Sequence, residues 1–276
     1  MSRFDSVVVV DWSAASVLSP ARPSPDAVWI GRNGQESRYF RGRALAEAAL
    51  RDLIAQELAA GRRLLIGFDF PFGYPAGFAA RLTREASARA VWSWLAARIT
   101  DGPDNANNRF ALAAAINRQM GGVGPFWGCP PGLNLPGLPA RKTVNYAALG
   151  LSERRAVERL VPRAQPVWKL YTTGAAGSQA LMGLPMIHRL AALPGVAVWP
   201  FDAPEAPVVL AEVYPSLLAR AVAADPTPLR DEVQVRLLSR ALARVDLAPL
   251  LDMPEAAREE GWILGAGHVA ALEAAL

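Results

Sequence analysis

Four acidic residues lie at or beside the ends of segments whose apolar composition predicts that they are buried. Asp11 closes the strand-like run VVVVD, and Asp69 closes LLIGFD. Glu212 lies within VVLAEVYP, and Asp231 opens the helix-like stretch DEVQVRLLSRAL. A lone buried carboxylate is costly, so acids placed where strand ends meet solvent are typical of a divalent-cation site. We therefore predict that these acids bind a metal and that the protein is an enzyme.

The other potential ligands restrict the metal to a hard cation. Cys129 is the only cysteine, which excludes an intramolecular disulfide and a cysteine-rich zinc site. The two histidines, His188 and His268, cannot supply a zinc site alone. We therefore expect oxygen ligands and either Mg²⁺ or Mn²⁺.

Three of these acids also have a purely structural interpretation. Asp11 is followed closely by Ser13 and would end a strand through a side-chain turn. Glu212 would be a solvent-facing glutamate of a strand. Asp231 would be a helix N-cap or a first-turn acid favoured by the helix dipole, and Glu232 would replace it in that role. Only convergence of the four acids would distinguish a metal site from these alternatives.

The segments that must position the acids form a recognisable order near the start of the chain. A continuous β-branched run predicts a central strand covered on both faces. An Asn-Gly turn predicts a hairpin beside it, and an apolar repeat closed by a glycine predicts a helix. The resulting β-β-β-α-β order comprises Val7–Val10, Ala27–Arg32, Arg38–Arg41, a helix at 44–60, and Leu64–Phe68. This is the opening topology of the ribonuclease H-like fold.

The chain resembles the family called domain of unknown function 429, which is grouped with predicted ribonuclease H-like nucleases. The matching pieces span most of the chain in the same order: VVVDWSA, IGFDFPFGYP, AEVYPS, DEVQVRLLSRALAR and EGWILG. The resemblance implies an α/β fold in which helices flank a mixed sheet. It also implies a metal-dependent site that cleaves phosphodiesters, assembled from Asp11, Asp69, Glu212 and Asp231.

The chemistry of such a site agrees with the positions of the acids. Two metal ions need three or four carboxylates from different strands, so that one ion activates a water and the other stabilises the leaving oxygen. Asp11 would bridge both ions and Asp69 would hold one. Glu212 or Asp231 would complete the other.

We expect one domain over residues 1–276, with a largely helical and loop-rich insertion at about 77–166. Helical patterns cover Leu82–Ile99 and Arg109–Met120. The stretch GGVGPFWGCPPGLNLPGLP follows them. Its aromatic content predicts an ordered loop, and we expect this loop to form a lid or to contact substrate.

The candidate substrate-binding residues are a hydroxyl beside Asp11 and basic side chains that follow the insertion. Aromatic residues alternate with these bases, which suits a single-stranded or flipped nucleotide. An Arg-rich helix face at 152–163 is the structural alternative. A small-residue turn at 172–178 is a weaker candidate for an anion site. The candidates are Ser13, Arg141, Lys142, Arg154 and Lys169.

Charge and hydropathy set the expected partners and location. The net charge of +4 permits binding of nucleic acid or a nucleotide without requiring it. No run approaches the roughly 20 apolar residues of a membrane span, so we expect a cytoplasmic protein without a membrane partner. Trp92, Trp94 and Trp262 are expected to be exposed and would suit a homodimer interface.

Two other functions fit the same opening topology. A phosphotransferase of the actin-like and sugar-kinase type also has an Asp at the end of its first strand. The sequence WSAA after Asp11 lacks the glycine-rich phosphate loop of that class. A non-catalytic ribonuclease H-like scaffold that binds a nucleotide or protein is the third function, and it predicts that the four acids do not converge.

Overall fold

A computed structural model describes residues 4–161 and 163–276. The strands are β1 (Ser6–Asp11), β2 (Val28–Arg32), β3 (Arg38–Phe40), β4 (Leu64–Phe68), β5 (Val196–Trp199) and β6 (Val208–Glu212). The helices are α1 (Arg43–Ala59), α2 (Phe78–Thr83), α3 (Ala88–Ala96), α4 (Arg109–Gln119), α5 (Ala156–Leu160), α6 (Ala176–Ala191), α7 (Ala219–Ala224), α8 (Arg230–Arg244), α9 (Ala257–Glu260) and α10 (Val269–Ala274). Short 3₁₀ turns occupy Pro215–Leu218 and Pro249–Leu251.

The strands form one mixed sheet in the order β3-β2-β1-β4-β6-β5. The hairpin strand β2 pairs antiparallel with both β1 and β3, while β1, β4, β6 and β5 are parallel neighbours. Val10 is aligned with Phe68, and Phe68 with Glu212. The parallel strands therefore end together, and the residues that end or follow them meet at one edge of the sheet.

Helices cover both faces of the sheet, and the two faces are distinguished by strand alternation. One core cluster includes Val8 and Val10 of β1 and packs against α1, α3 and α6. The other includes Val7 and Val9 of the same strand and packs against α8. We call these the α6 face and the α8 face. The predicted α/β class, with a mixed sheet flanked by helices, is confirmed.

The segment at 77–166 contributes α2, α3, α4 and α5, and none of its described residues joins the six-stranded sheet. The helix predicted at Leu82–Ile99 is instead two helices, because the chain turns through a left-handed Arg84 with φ of 72°. Tyr74 and Phe78 pack beside Phe126 and Trp168, with ring centroids 4.6 to 6.1 Å apart. This cluster attaches the segment to the α6 face.

The expectation that Trp92 is exposed is wrong, whereas Trp94 and Trp262 are half-buried. The Trp92 ring is 1% exposed, and its Nε1 donates to the Phe72 carbonyl at 2.7 Å. Homodimerisation stays a prediction. In the two described stretches, none of the helices is both long and apolar enough to cross a membrane.

Helix α6 approaches the loop after β4 so closely that a side chain has no room. A Cβ added to Gly183 would overlap the ring of Phe70. We expect Gly183→Ala to lower the free energy of unfolding by roughly 1–3 kcal/mol, because an added methyl strains a packed core. Urea denaturation measures this loss.

The double variant Gly183→Ala, Phe70→Leu serves as the control, since the smaller side chain makes room for the methyl group. We expect the double variant to lose less stability than the two single variants lose together, by more than about 0.5 kcal/mol. Additive losses would show that this close approach is not the cause.

Candidate functional site

A cavity of about 870 Å³ opens at the edge where the parallel strands end. Acidic residues reach it from the end of β1, the residue after β4 and the first turn of α8. Basic residues reach it from α4 and from the segment between α5 and α6. All four predicted acids line this cavity: Asp11, Asp69, Glu212 and Asp231.

Three of these acids belong to the α8 face of the sheet. Asp11 follows Val7 and Val9 in the alternation of β1, and those valines pack on that face. The amide of Asp69 donates to the Val10 carbonyl at 2.9 Å, which extends the pairing of β4 with β1 by one residue. Asp231 lies in α8 itself, and its Oδ2 accepts from the Asp26 amide at 2.8 Å.

The same three carboxylates have raised pKa values and no basic partner among the described residues. Burial, then Asp69, Asp231 and Asp26, hold the pKa of Asp11 well above its usual range. Burial, then Glu212 and Asp231, raise the pKa of Asp69 to about 7. Burial also raises the pKa of Asp231, even though its hydrogen bond from Asp26 opposes this. Among the described residues, no basic side chain forms an ion pair with any of the three.

Glu212 differs because its charge is fully paired. Both of its oxygens accept from Arg155, at 2.6 and 2.8 Å, and Oε2 also accepts from the Phe72 amide at 2.9 Å. Arg155 and Glu212 are 1% and 2% exposed. Although burial lowers the pKa of Arg155, its carboxylate partners Glu212 and Glu158 outweigh burial and raise it. Metal binding by Glu212 stays a prediction. It would require Glu212 to break its ion pair with Arg155.

All four acids therefore line one cavity, but Glu212 differs from the other three because a buried arginine pairs with it. Over residues 4–161 and 163–276, no group of three or more His, Cys, Asp or Glu side chains is arranged to hold a metal ion.

The predicted substrate-binding residues divide into two sets. Ser13 and Lys169 line the cavity. Lys142 lies outside it and pairs with Glu153 at 2.9 Å. Arg154 donates to the carbonyl groups of Glu158 and Ala164 instead of facing the cavity, and Arg141 is an exposed residue away from it. The loop predicted as a lid, at 121–139, contributes no residue to the lining.

Sequence reasoning missed several polar residues of the lining. Arg155 is 57 positions from Glu212, so no local pattern signals their pairing. Arg109 was visible only as the first residue of a predicted helix. Gln179 donates to the Trp12 carbonyl at 2.8 Å and thereby joins α6 to the chain after β1. Other polar lining residues that the sequence did not single out include Asp26, Gln165, Tyr214 and Gln234.

Comparison of the chain with protein-family models gave no match. Searches of curated proteins and of solved structures likewise gave no significant match. The functional argument therefore depends on the geometry of the cavity.

Removing one partner of the Arg155–Glu212 pair should be far more damaging than replacing both. We expect Arg155→Met or Glu212→Leu to lower the free energy of unfolding by about 3–5 kcal/mol, because each leaves an uncompensated buried charge. The double variant should recover most of this loss, as followed by urea denaturation at pH 7.

The exposed Lys142–Glu153 pair provides the comparison. Removing Lys142 should cost less than about 1 kcal/mol, because solvent screens that pair. A Glu212→Leu loss as small as the Lys142 loss would contradict the assignment of Glu212 and Arg155 as a buried structural pair.

The raised pKa of Asp69 predicts how stability depends on pH. The folded protein binds a proton on Asp69 more tightly than the unfolded chain does, so stability falls as pH rises from about 4 to about 7. We expect Asp69→Asn to reduce this fall and to be more stable than the wild type at pH 8. Denaturation midpoints across this range, measured in EDTA, check the sign. A wild-type stability that rises between pH 5 and 7 by more than that of Asp69→Asn would contradict it.

Proposed function

We propose that the protein is a Mg²⁺- or Mn²⁺-dependent nuclease or phosphodiesterase that acts at this cavity. One observation carries the proposal. Asp11, Asp69 and Asp231 come from three separate elements and line one cavity, and none of them forms an ion pair with a described basic residue. Burial, followed by neighbouring carboxylates, raises the pKa of Asp11 and of Asp69. A folded protein retains such a costly arrangement where a cation or a reaction uses it.

The order of the strands supports a ribonuclease H-like fold for this proposal. An antiparallel hairpin precedes α1, and the chain then returns through β4, which lies parallel beside β1. The β-β-β-α-β order expected from the sequence is present. In that fold the acids at the ends of the first and fourth strands belong to the catalytic site, and here those positions are Asp11 and Asp69.

The residues present fit a hard divalent cation. Their donors are carboxylate oxygens, and no described basic side chain forms an ion pair with them. Asp11, Asp69 and Asp231 would hold the metal, which when bound supplies an activated water and charge stabilisation at the reacting phosphate. Because the acids must ionise to bind it, we expect binding to release protons, which calorimetry in buffers of different ionisation enthalpy measures.

The other residues of the cavity have positioning roles in this proposal. The ion pair between Glu212 and Arg155 fixes the loop after Asp69 through the Phe72 amide. Ser13 donates to the Asp26 carbonyl at 2.5 Å and so orients the segment whose amide binds Asp231. Lys169 contributes positive charge to the same cavity.

A non-catalytic scaffold that binds a nucleotide is the second candidate. One observation favours it: Glu212, one of the four predicted metal ligands, already pairs through both oxygens with the buried Arg155. The two candidates differ in whether the protein binds a metal ion and cleaves nucleic acid through Asp11 and Asp69.

We expect wild-type protein to bind Mn²⁺ in calorimetry and to cleave a labelled nucleic acid only when metal is present. Asp11→Asn and Asp69→Asn should each lower cleavage by about 100-fold or more, because they remove a direct ligand rather than an outer-shell partner. Single-stranded, duplex and branched substrates should be screened together.

The control is Asp52→Asn, which removes a carboxylate from the exposed face of α1, outside the cavity. It should bind metal and cleave as the wild type does. If wild-type protein binds no Mn²⁺ in the millimolar range even with nucleic acid present, the scaffold function takes the place of the nuclease.

A further inference from the structure

Arg109 is a buried cation that lines the cavity without a carboxylate partner. Its side chain is 9% exposed. Nε donates to the Ser178 hydroxyl at 3.0 Å, and Nη1 donates to Ser16 and Asn107 at 2.9 and 2.8 Å. Nη2 donates to no described residue. A buried charge is costly without an opposite charge, so this guanidinium is suited to an anion.

A neighbouring arginine shows what complete pairing looks like in the same region. Arg43 donates through Nε and Nη2 to both oxygens of Asp101. Arg109 donates hydrogen bonds only to neutral groups. Burial and then the nearby Arg43 lower the pKa of Arg109 to about 10, although Asp101, which Arg43 already pairs with, opposes this. The positive charge of Arg109 therefore remains available to the cavity.

Two further bases line the cavity without an acidic partner among the described residues. Lys169 donates to the Thr173 carbonyl at 2.6 Å, and Arg163 forms no ion pair. The Ser178 hydroxyl that accepts from Arg109 donates to the Leu170 carbonyl at 2.6 Å. This chain of hydrogen bonds fixes Arg109 beside the segment that contains Lys169. Arg109, Lys169 and Arg163 line the same cavity, and we call these three cations the basic wall.

We infer that the basic wall binds the phosphates of a short single-stranded nucleic acid, and that the cavity excludes a duplex. This inference rests on the proposed function, because it names the substrate class of the same cavity. Arg109 and Lys169 hold one phosphate beside the acids, and Arg163 holds a neighbouring one. Guanidinium and ammonium groups are the usual phosphate donors in proteins.

The size of the cavity and the charges outside it favour a short substrate. The volume of about 870 Å³ lies within the range of roughly 300–1,000 Å³ for small-molecule sites. A duplex needs a longer basic track, since its affinity comes from many phosphate contacts. The bases expected to extend the track do not do so, because Lys142 pairs with Glu153 and Arg154 with backbone carbonyls.

Aromatic side chains complete the match to a single strand. Tyr171 is 40% exposed and lines the cavity beside Lys169. Tyr214 is half-buried in the same lining, and its hydroxyl donates to the Arg163 carbonyl at 3.0 Å. Bases of a single strand stack on such rings, whereas the bases of a duplex stay stacked on one another.

The test is equilibrium binding of a tetranucleotide with hydrolysis-resistant phosphorothioate linkages, measured by calorimetry in EDTA. A twelve-base-pair duplex that contains the same sequence is the competitor. We expect the tetranucleotide to bind at least about ten-fold more tightly than the duplex. Arg163→Gln and Lys169→Gln should each weaken binding about five- to ten-fold and lower the slope of log affinity against log salt by roughly 0.7, the value for one single-strand phosphate contact.

Arg220→Gln is the matched control, because Arg220 is exposed on α7 and lies outside the cavity. It should bind the tetranucleotide as the wild type does. For Arg109→Met, tetranucleotide binding and thermal stability are measured together, because the buried hydrogen bonds of Arg109 also support the fold. Duplex affinity equal to that of the tetranucleotide, or an Arg220→Gln effect equal to that of Arg163→Gln, would overturn the inference.

Binding in EDTA separates this inference from the proposed function. Tight tetranucleotide binding that depends on Lys169 and Arg163, without metal-dependent cleavage of any substrate, would support the basic wall and reject the nuclease. Cleavage that needs Asp11 but is unaffected by Lys169→Gln and Arg163→Gln would support the nuclease and reject the basic wall.

Discussion

The cavity depends on one buried ion pair, between Arg155 and Glu212. Glu212 ends β6, and through its Oε2 it also holds the amide of Phe72, in the loop after β4. Arg155 reaches in addition to Glu158 and to the Glu260 carbonyl, so one guanidinium joins four parts of the chain. An unpaired charge at this depth would cost several kcal/mol, which fixes these segments relative to one another. The edge of the sheet is therefore rigid where the pair lies.

Other charged side chains of the cavity, in contrast to this ion pair, have no partner of opposite charge among the described residues. Among the residues that the structure describes, Asp11 and Asp69 form no ion pair with a base and Arg109 forms none with an acid, although all three line one cavity. Rearrangement into internal pairs would relieve both costs, but strand register fixes the acids and hydrogen bonds to Ser178 and Asn107 fix Arg109. Local rules that fail within a well-packed fold are expected at functional sites. A ligand with a dication at one end and phosphates at the other would satisfy both sets of charges.

Much of the fold was predictable because its signals are local. The apolar run before Asp11, the Asn-Gly hairpin turn and the amphipathic repeat of α1 each depend on neighbouring residues, and each element was predicted to within a few residues of its observed bounds. The site was predictable only in part, because its charges are paired across long sequence separations. No local sequence pattern predicts that Lys142 forms an ion pair with Glu153, or that Glu212 forms one with Arg155. Which charged side chains face the cavity unpaired therefore depends on partners that are distant in the sequence.

Strand alternation explains why Glu212 and the other acids lie on different faces of the sheet. Glu212 is aligned with Phe68, whereas Asp69 comes one residue later and Asp11 one residue after Val10. A shift of one residue turns a strand side chain to the opposite face of the sheet. Glu212 therefore continues the α6 face, where the loop amide of Phe72 and Arg155 meet it, while Asp11 and Asp69 turn toward the α8 face. In the proposed metal site, a third acid on that face would come from the helix that covers it, and Asp231 of α8 lies there and lines the cavity.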